Sequence, residues 1–93
     1  PQGEGAKEEN PLVRYFITPQ FARSHANAPA HIQRAFDRKL VLLLQNLRHP
    51  SLRAKKYDEA NDVWQARVSG AWRFYFQIKG DTYHLLNLTA HPK

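Results

Sequence analysis

Arg67 and Arg73 lie six residues apart around Ser69-Gly70-Ala71. Trp64, Ala66 and Val68 alternate with Val63, Gln65 and Arg67, and Trp72, Phe74, Phe76 and Ile78 alternate with Arg73, Tyr75, Gln77 and Lys79. That period of two marks a pair of strands. A two-residue turn at Ser69-Gly70 would set Trp72 opposite Arg67 and mix charged with apolar residues on both faces. A three-residue loop instead pairs Val68 with Trp72, Ala66 with Phe74 and Trp64 with Phe76, and makes one face continuously apolar. The second register is the one predicted. It puts Gln65, Arg67, Arg73 and Tyr75 on the open face, with Arg67 directly opposite Arg73. Like charges facing each other across strands repel unless an anion bridges them. A guanidinium fork matches phosphate geometry, so a phosphodiester is the anion this pair is suited to hold.

The charge of the whole chain points the same way. Fourteen Lys and Arg stand against eight Asp and Glu, a net +6. That total is the balance of −2 in Pro1–Asn10 and +8 in residues 11–93. A small fold with such an excess attracts polyanions, of which nucleic-acid backbones are the commonest. The chain has no cysteine, which removes disulfides and thiolate metal sites and agrees with a reducing, cytoplasmic setting. His25, His31, His49 and His84 show no ligand-like spacing, and no metal or other cofactor is expected. The longest apolar run, Leu40–Leu44, is far short of the roughly 20 residues that cross a bilayer.

The elements that must position the arginines follow from patterning. Pro1–Asn10 is polar, without apolar periodicity, and reads as a disordered leader, with a single domain over residues 11–93. Leu12–Thr18 reads as a strand. Thr18-Pro19 supplies a capping hydroxyl and an N1 proline for a short helix through about His25. Ile32, Phe36, Leu40, Leu43 and Leu47 form a helical stripe that predicts a helix from Ala30 to Leu47, stopped by His49-Pro50. Arg48 to Lys56 reads as a basic connector, and Gly80-Asp81 as a turn into a last strand, Thr82–Thr89, whose facing the pattern leaves open. The expectation is an α+β domain of β-α-α-β-β-β order, an antiparallel sheet with two N-terminal helices packed on one face. Trp64, Trp72, Phe74 and Phe76 belong to its core, whereas Tyr75 and Tyr83 are candidates for stacking on bases.

With these residues in this order, the sequence resembles the RelE/ParE toxins of type II toxin–antitoxin systems. The run Trp64 to Phe76 is similar to the hairpin of the HigB and YoeB branches, where a tryptophan and an arginine precede the turn and an aromatic–arginine pair follows it. Leu52-Arg53-Ala54-Lys55-Lys56 is similar to the connector of that family, and Ala90-His91-Pro92-Lys93 to its histidine ending. The resemblance covers residues 12–93. It implies a ribosome-dependent endonuclease that cuts messenger RNA through attack of the 2′-hydroxyl on the adjacent phosphate. It assigns Arg73 to the scissile phosphate, with Arg67 beside it, and His91 to acid or base work. It gives Lys55, Lys56, Arg53 and Lys93 contacts to messenger or ribosomal RNA. It also implies a cognate antitoxin, the ribosome and messenger RNA as partners, with no membrane and no metal. The lysine pair of the RelE branch aligns here with Trp64 and Ala66, and the base carboxylate of the YoeB branch falls near Arg53 or Ala54, with Glu59 the closest acid. The general base is therefore open. Two other activities fit the same composition: a ParE-like poison of DNA gyrase that cleaves nothing, and a basic RNA-binding domain without catalysis.

Overall fold

The computed structural model describes residues 14 to 90. Strand β1 (Arg14–Ile17) leads into helix α1 (Pro19–Asn27) and helix α2 (Ala30–Gln45). A short 3-10 helix (Pro50–Leu52) follows, then β2 (Lys55–Asp58), β3 (Val63–Arg67), β4 (Trp72–Lys79) and β5 (Thr82–Ala90). The strands form one sheet in the order β1-β5-β4-β3-β2. The class is α+β, with two helices on one sheet face. The sheet holds one strand more than the pattern predicted, and it is mixed: β1 runs parallel to β5 and the other pairs are antiparallel.

Local chemistry sets the boundaries. Thr18 caps α1 by accepting from the Phe21 amide at 3.2 Å and donates its own hydroxyl to the Leu85 carbonyl at 2.7 Å, tying the helix start to β5. Helix α2 ends two residues before the expected Leu47. The Asn46 side chain accepts from the Arg48 amide at 3.0 Å, and Asn46 itself is extended at φ −161°. This local turn outcompetes another turn of helix. Strand β2 begins inside the expected connector and runs two residues past its end at Lys56. Lys55-Lys56-Tyr57-Asp58 has no apolar alternation, and it is a strand because β3 offers it an edge. Short, lysine-bearing strands are how sheet edges are protected from pairing with other chains.

Phe21, Ile32, Phe36 and Leu43 from the helices meet Ala66, Val68, Phe74, Phe76, Leu85 and Leu88 from the sheet in one core. Phe36 meets Phe74 edge-on at 5.1 Å. The β3–β4 register is the predicted one: Arg67 pairs with Arg73, Ala66 with Phe74 and Trp64 with Phe76, and the Val68 amide donates to the Trp72 carbonyl at 2.9 Å. In β5 a bulge separates the Tyr75–Asn87 pair from the Phe76–Leu85 pair. The extra residue lets Leu85 and Leu88, three apart, both be buried, which a regular strand cannot do.

A candidate phosphate-binding site

On the sheet face away from the helices, three strands and one turn converge. Strand β3 contributes Gln65 and Arg67, β4 contributes Arg73, and β2 contributes Lys55, which pairs with Gln65. Arg53, just after the 3-10 helix, completes the set from a left-handed backbone conformation (φ 48°). That conformation is uncommon for a residue with a Cβ, and such strain gathers at functional sites. These residues and Tyr57 line one open hollow of about 670 Å³. Among the described residues, no carboxylate forms an ion pair with Arg53, Lys55, Arg67 or Arg73. Four cations around one concavity without counter-ions make a field that draws an anion in.

The two arginines are held differently. The Arg73 Nη1 donates to the bend carbonyls of Ser69 at 2.9 Å, Trp72 at 3.0 Å and Gly70 at 3.2 Å. A guanidinium carries five N–H donors, so this anchor leaves the Nε and Nη2 edges for a ligand. Arg67 Nε is buried and has no hydrogen-bond partner among the described residues. A buried donor without an acceptor is costly unless a ligand or water supplies one.

The hollow separates the paired lysines. Lys55 faces it with Gln65. Lys56 borders it, but its ammonium turns away, donating to Asp62 at 2.8 Å, approaching Glu59 at 3.8 Å and resting 5.2 Å above the Trp64 ring. The Asp62 hydrogen bond, chiefly, raises the Lys56 pKa above the ordinary lysine value. Of the expected binding set, Lys55 and Arg53 have the geometry for an anion, and Lys56 is engaged elsewhere. His91 and Lys93 lie outside the described residues, as does the leader. Ala90, to which His91 is bonded, pairs with Trp72 beside Arg73.

Two residues of the neighbourhood escaped the sequence reading. Lys39 on α2 donates to the Ser51 carbonyl at 3.1 Å. Partial burial first, then the charges of Arg67 and Arg38, hold its pKa below the usual lysine value. Tyr57 falls just past the end of the supposed connector at Lys56; an aromatic directly after two lysines was the available signal. Tyr83, a candidate for stacking on bases, belongs instead to the core, edge-on to Phe76 at 5.4 Å. Phe74 and Phe76 are fully buried, and Trp64 and Trp72 pack against that core, as predicted.

The fold and hollow together describe a small α+β domain with an open, cation-lined concavity on one sheet face. No protein-family model and no curated protein sequence matches the chain. Solved structures do. The chain is similar to one from the archaeal RelE–RelB complex of Pyrococcus horikoshii at 17% identity, over 88% of this chain and 98% of that one, with a TM-score of 0.73. It is similar to YafQ from Escherichia coli at 12% identity, over 82% and 90% of the two chains, with a TM-score of 0.70. A chain of the toxin–antitoxin complex RelBE2 of Mycobacterium tuberculosis matches at 20% identity, over 86% and 99%, with a TM-score of 0.61. The fold is that of the RelE/ParE toxin superfamily.

Proposed function

We propose that this chain is the toxin of a type II toxin–antitoxin pair and acts in the cytoplasm as a ribosome-dependent endonuclease on messenger RNA. One observation carries the reading: Arg53, Lys55, Arg67 and Arg73 surround one open hollow, and among the described residues no carboxylate is paired to them. The fold supports it, since similar structures include the RelE–RelB complex and the Escherichia coli DinJ–YafQ toxin–antitoxin complex. A cognate antitoxin is the partner this implies.

In the reaction, the 2′-oxygen of one nucleotide attacks the adjacent phosphorus while the bond from phosphorus to the 5′-oxygen breaks. The products are a cyclic phosphate and a free 5′-hydroxyl. Arg73 presents Nε and Nη2 to the scissile phosphate, and Arg67 adds a second guanidinium. Both stabilise charge gathering on the non-bridging oxygens. His91 follows the strand end next to Arg73 and serves as acid or base, taking the 2′-hydroxyl proton or returning one to the leaving oxygen.

Inducible expression in bacteria tests this. The expected result is growth arrest, with messengers truncated only where they are being translated, and relief on co-expression of the antitoxin. Arrest with damaged DNA and intact messengers would identify a gyrase poison instead. Absence of arrest, with RNA binding retained, would leave a binding domain without catalysis. A binding experiment separates the two lysines. For single-stranded RNA, Lys55→Ala is expected to lower the slope of log affinity against log salt by about 0.7, the contribution of one lost phosphate contact. Lys56→Ala is expected to leave that slope unchanged, because its charge is already committed to Asp62. Equal slopes for the two variants would contradict the separation seen in the hollow.

A further inference from the structure

Tyr57 projects from the edge strand β2 and is 60% exposed. Its ring meets that of Tyr75, on β4, edge-on at 5.0 Å. Tyr75 is held in place from below: the buried Gln65 donates its amide to the Tyr75 hydroxyl at 3.0 Å. Beyond this corner a shallow trough of about 510 Å³ continues along the open sheet face, walled by Tyr75, Asn87 and Thr89 together with the apolar Val63, Leu86 and Ala90. Tyr57 lines both the trough and the cationic hollow. A nucleotide carries a charged phosphate and a flat base on either side of one sugar. A site for it therefore needs a cationic surface joined, over a short span, to an aromatic one. The two concavities have that relation, and Tyr57 is their common wall.

We propose that the Tyr57–Tyr75 corner is a nucleobase subsite, stacking one base of single-stranded RNA while the adjoining phosphate occupies the arginine hollow; this rests on the phosphodiester reading given above. Stacking on an aromatic face tolerates every base, since each has a π-surface. Single strands expose their bases for such contact, and duplexes do not. The adjoining hollow, ringed by Arg53, Lys55, Arg67 and Arg73, favours a strand that carries phosphates beside its bases over an apolar protein helix, which needs no cationic neighbour.

The test measures binding of fluorescent single-stranded oligoribonucleotides to the full chain, alongside an abasic oligonucleotide of the same length. Tyr57→Ala is expected to weaken the base-bearing strand by about 5- to 150-fold and to leave the abasic strand and the salt slope unchanged. Tyr57→Leu, which keeps bulk without a π-face, should behave as alanine does. Tyr57→Phe should stay within about twofold of the parent chain. Far-ultraviolet circular dichroism checks that each variant is folded. Equal losses on both strands, or no loss with Tyr57→Ala, would overturn the subsite; the second result would leave Tyr57 as a surface for a protein partner. Arg67→Ala and Arg73→Ala separate this failure from that of the underlying reading. If neither weakens the abasic strand, the phosphate hollow itself is wrong and the subsite falls with it.

Discussion

Replacing Arg73 by alanine is expected to lower messenger cleavage by about 10²- to 10³-fold, the usual effect of losing one donor from a preorganised anion site, while the domain stays folded. The geometry gives the reason. Three bend carbonyls, at 2.9 to 3.2 Å, hold one guanidinium nitrogen in place, so the ordering of the side chain is complete before the substrate arrives. Two opposed effects keep the stability change small. Alanine abandons the hydrogen bonds to the bend, but it also removes the charge facing Arg67 across the strands. The melting temperature is expected to shift by no more than about 5 °C. Arg73→Lys keeps one charge but not the fork, so it can hold the bend or reach the phosphate, and not both; partial activity is expected. Cleavage by a ribosome-loaded messenger assay, read with thermal unfolding, decides the matter. Arg73→Ala with cleavage within threefold of the parent would reduce Arg73 to a brace for the bend. Arg67 bears on the proposal independently: its buried Nε has no partner among the described residues, and a bound phosphate would supply the acceptor.

Much of this site was legible because its register had two solutions and only one made an apolar face. Val68, Ala66 and Trp64 against Trp72, Phe74 and Phe76 decided the loop length, and Arg67 opposite Arg73 followed from it. Four features resisted the same reasoning, each for a physical cause. Lys55–Asp58 is a strand through pairing alone, with no alternation of its own to reveal it, so Tyr57 and the separation of Lys55 from Lys56 were invisible. The β5 bulge shifts the side-chain phase after Leu85, and a rule of period two cannot find both Leu85 and Leu88 on the core side. The parallel placement of β1 against β5 depends on contacts far apart in sequence, such as Thr18 with Leu85, which local patterning does not contain. The orientation of Lys56 depends on Asp62, brought back to it by the β2–β3 turn.

Phe74→Ala is expected to remove a large fraction of the domain's stability and to deplete its folded population at physiological temperature. Phe74 sits near the middle of β4 with no exposed surface. It meets Phe36 edge-on at 5.1 Å and Phe76 at 5.6 Å, so it joins α2 to the sheet. Truncating such a phenylalanine costs about 3–5 kcal/mol, the transfer term plus the cavity left behind. A domain of this size has roughly 5–15 kcal/mol in all, and each kcal/mol moves the melting point by about 4–8 °C. A fall of at least about 12 °C is therefore expected in thermal unfolding. Val41→Ala, at a position 54% exposed on the outer side of α2, is expected to change stability by no more than about 0.5 kcal/mol. A melting point for Phe74→Ala close to that of Val41→Ala would show that the helices do not depend on this contact. The comparison also disciplines the toxicity experiment. Phe74→Ala and Arg73→Ala should both relieve growth arrest, the first by depleting the folded population and the second with that population intact. Only loss of toxicity at a nearly unchanged melting temperature locates the chemistry, and the proposed mechanism predicts that signature for Arg73.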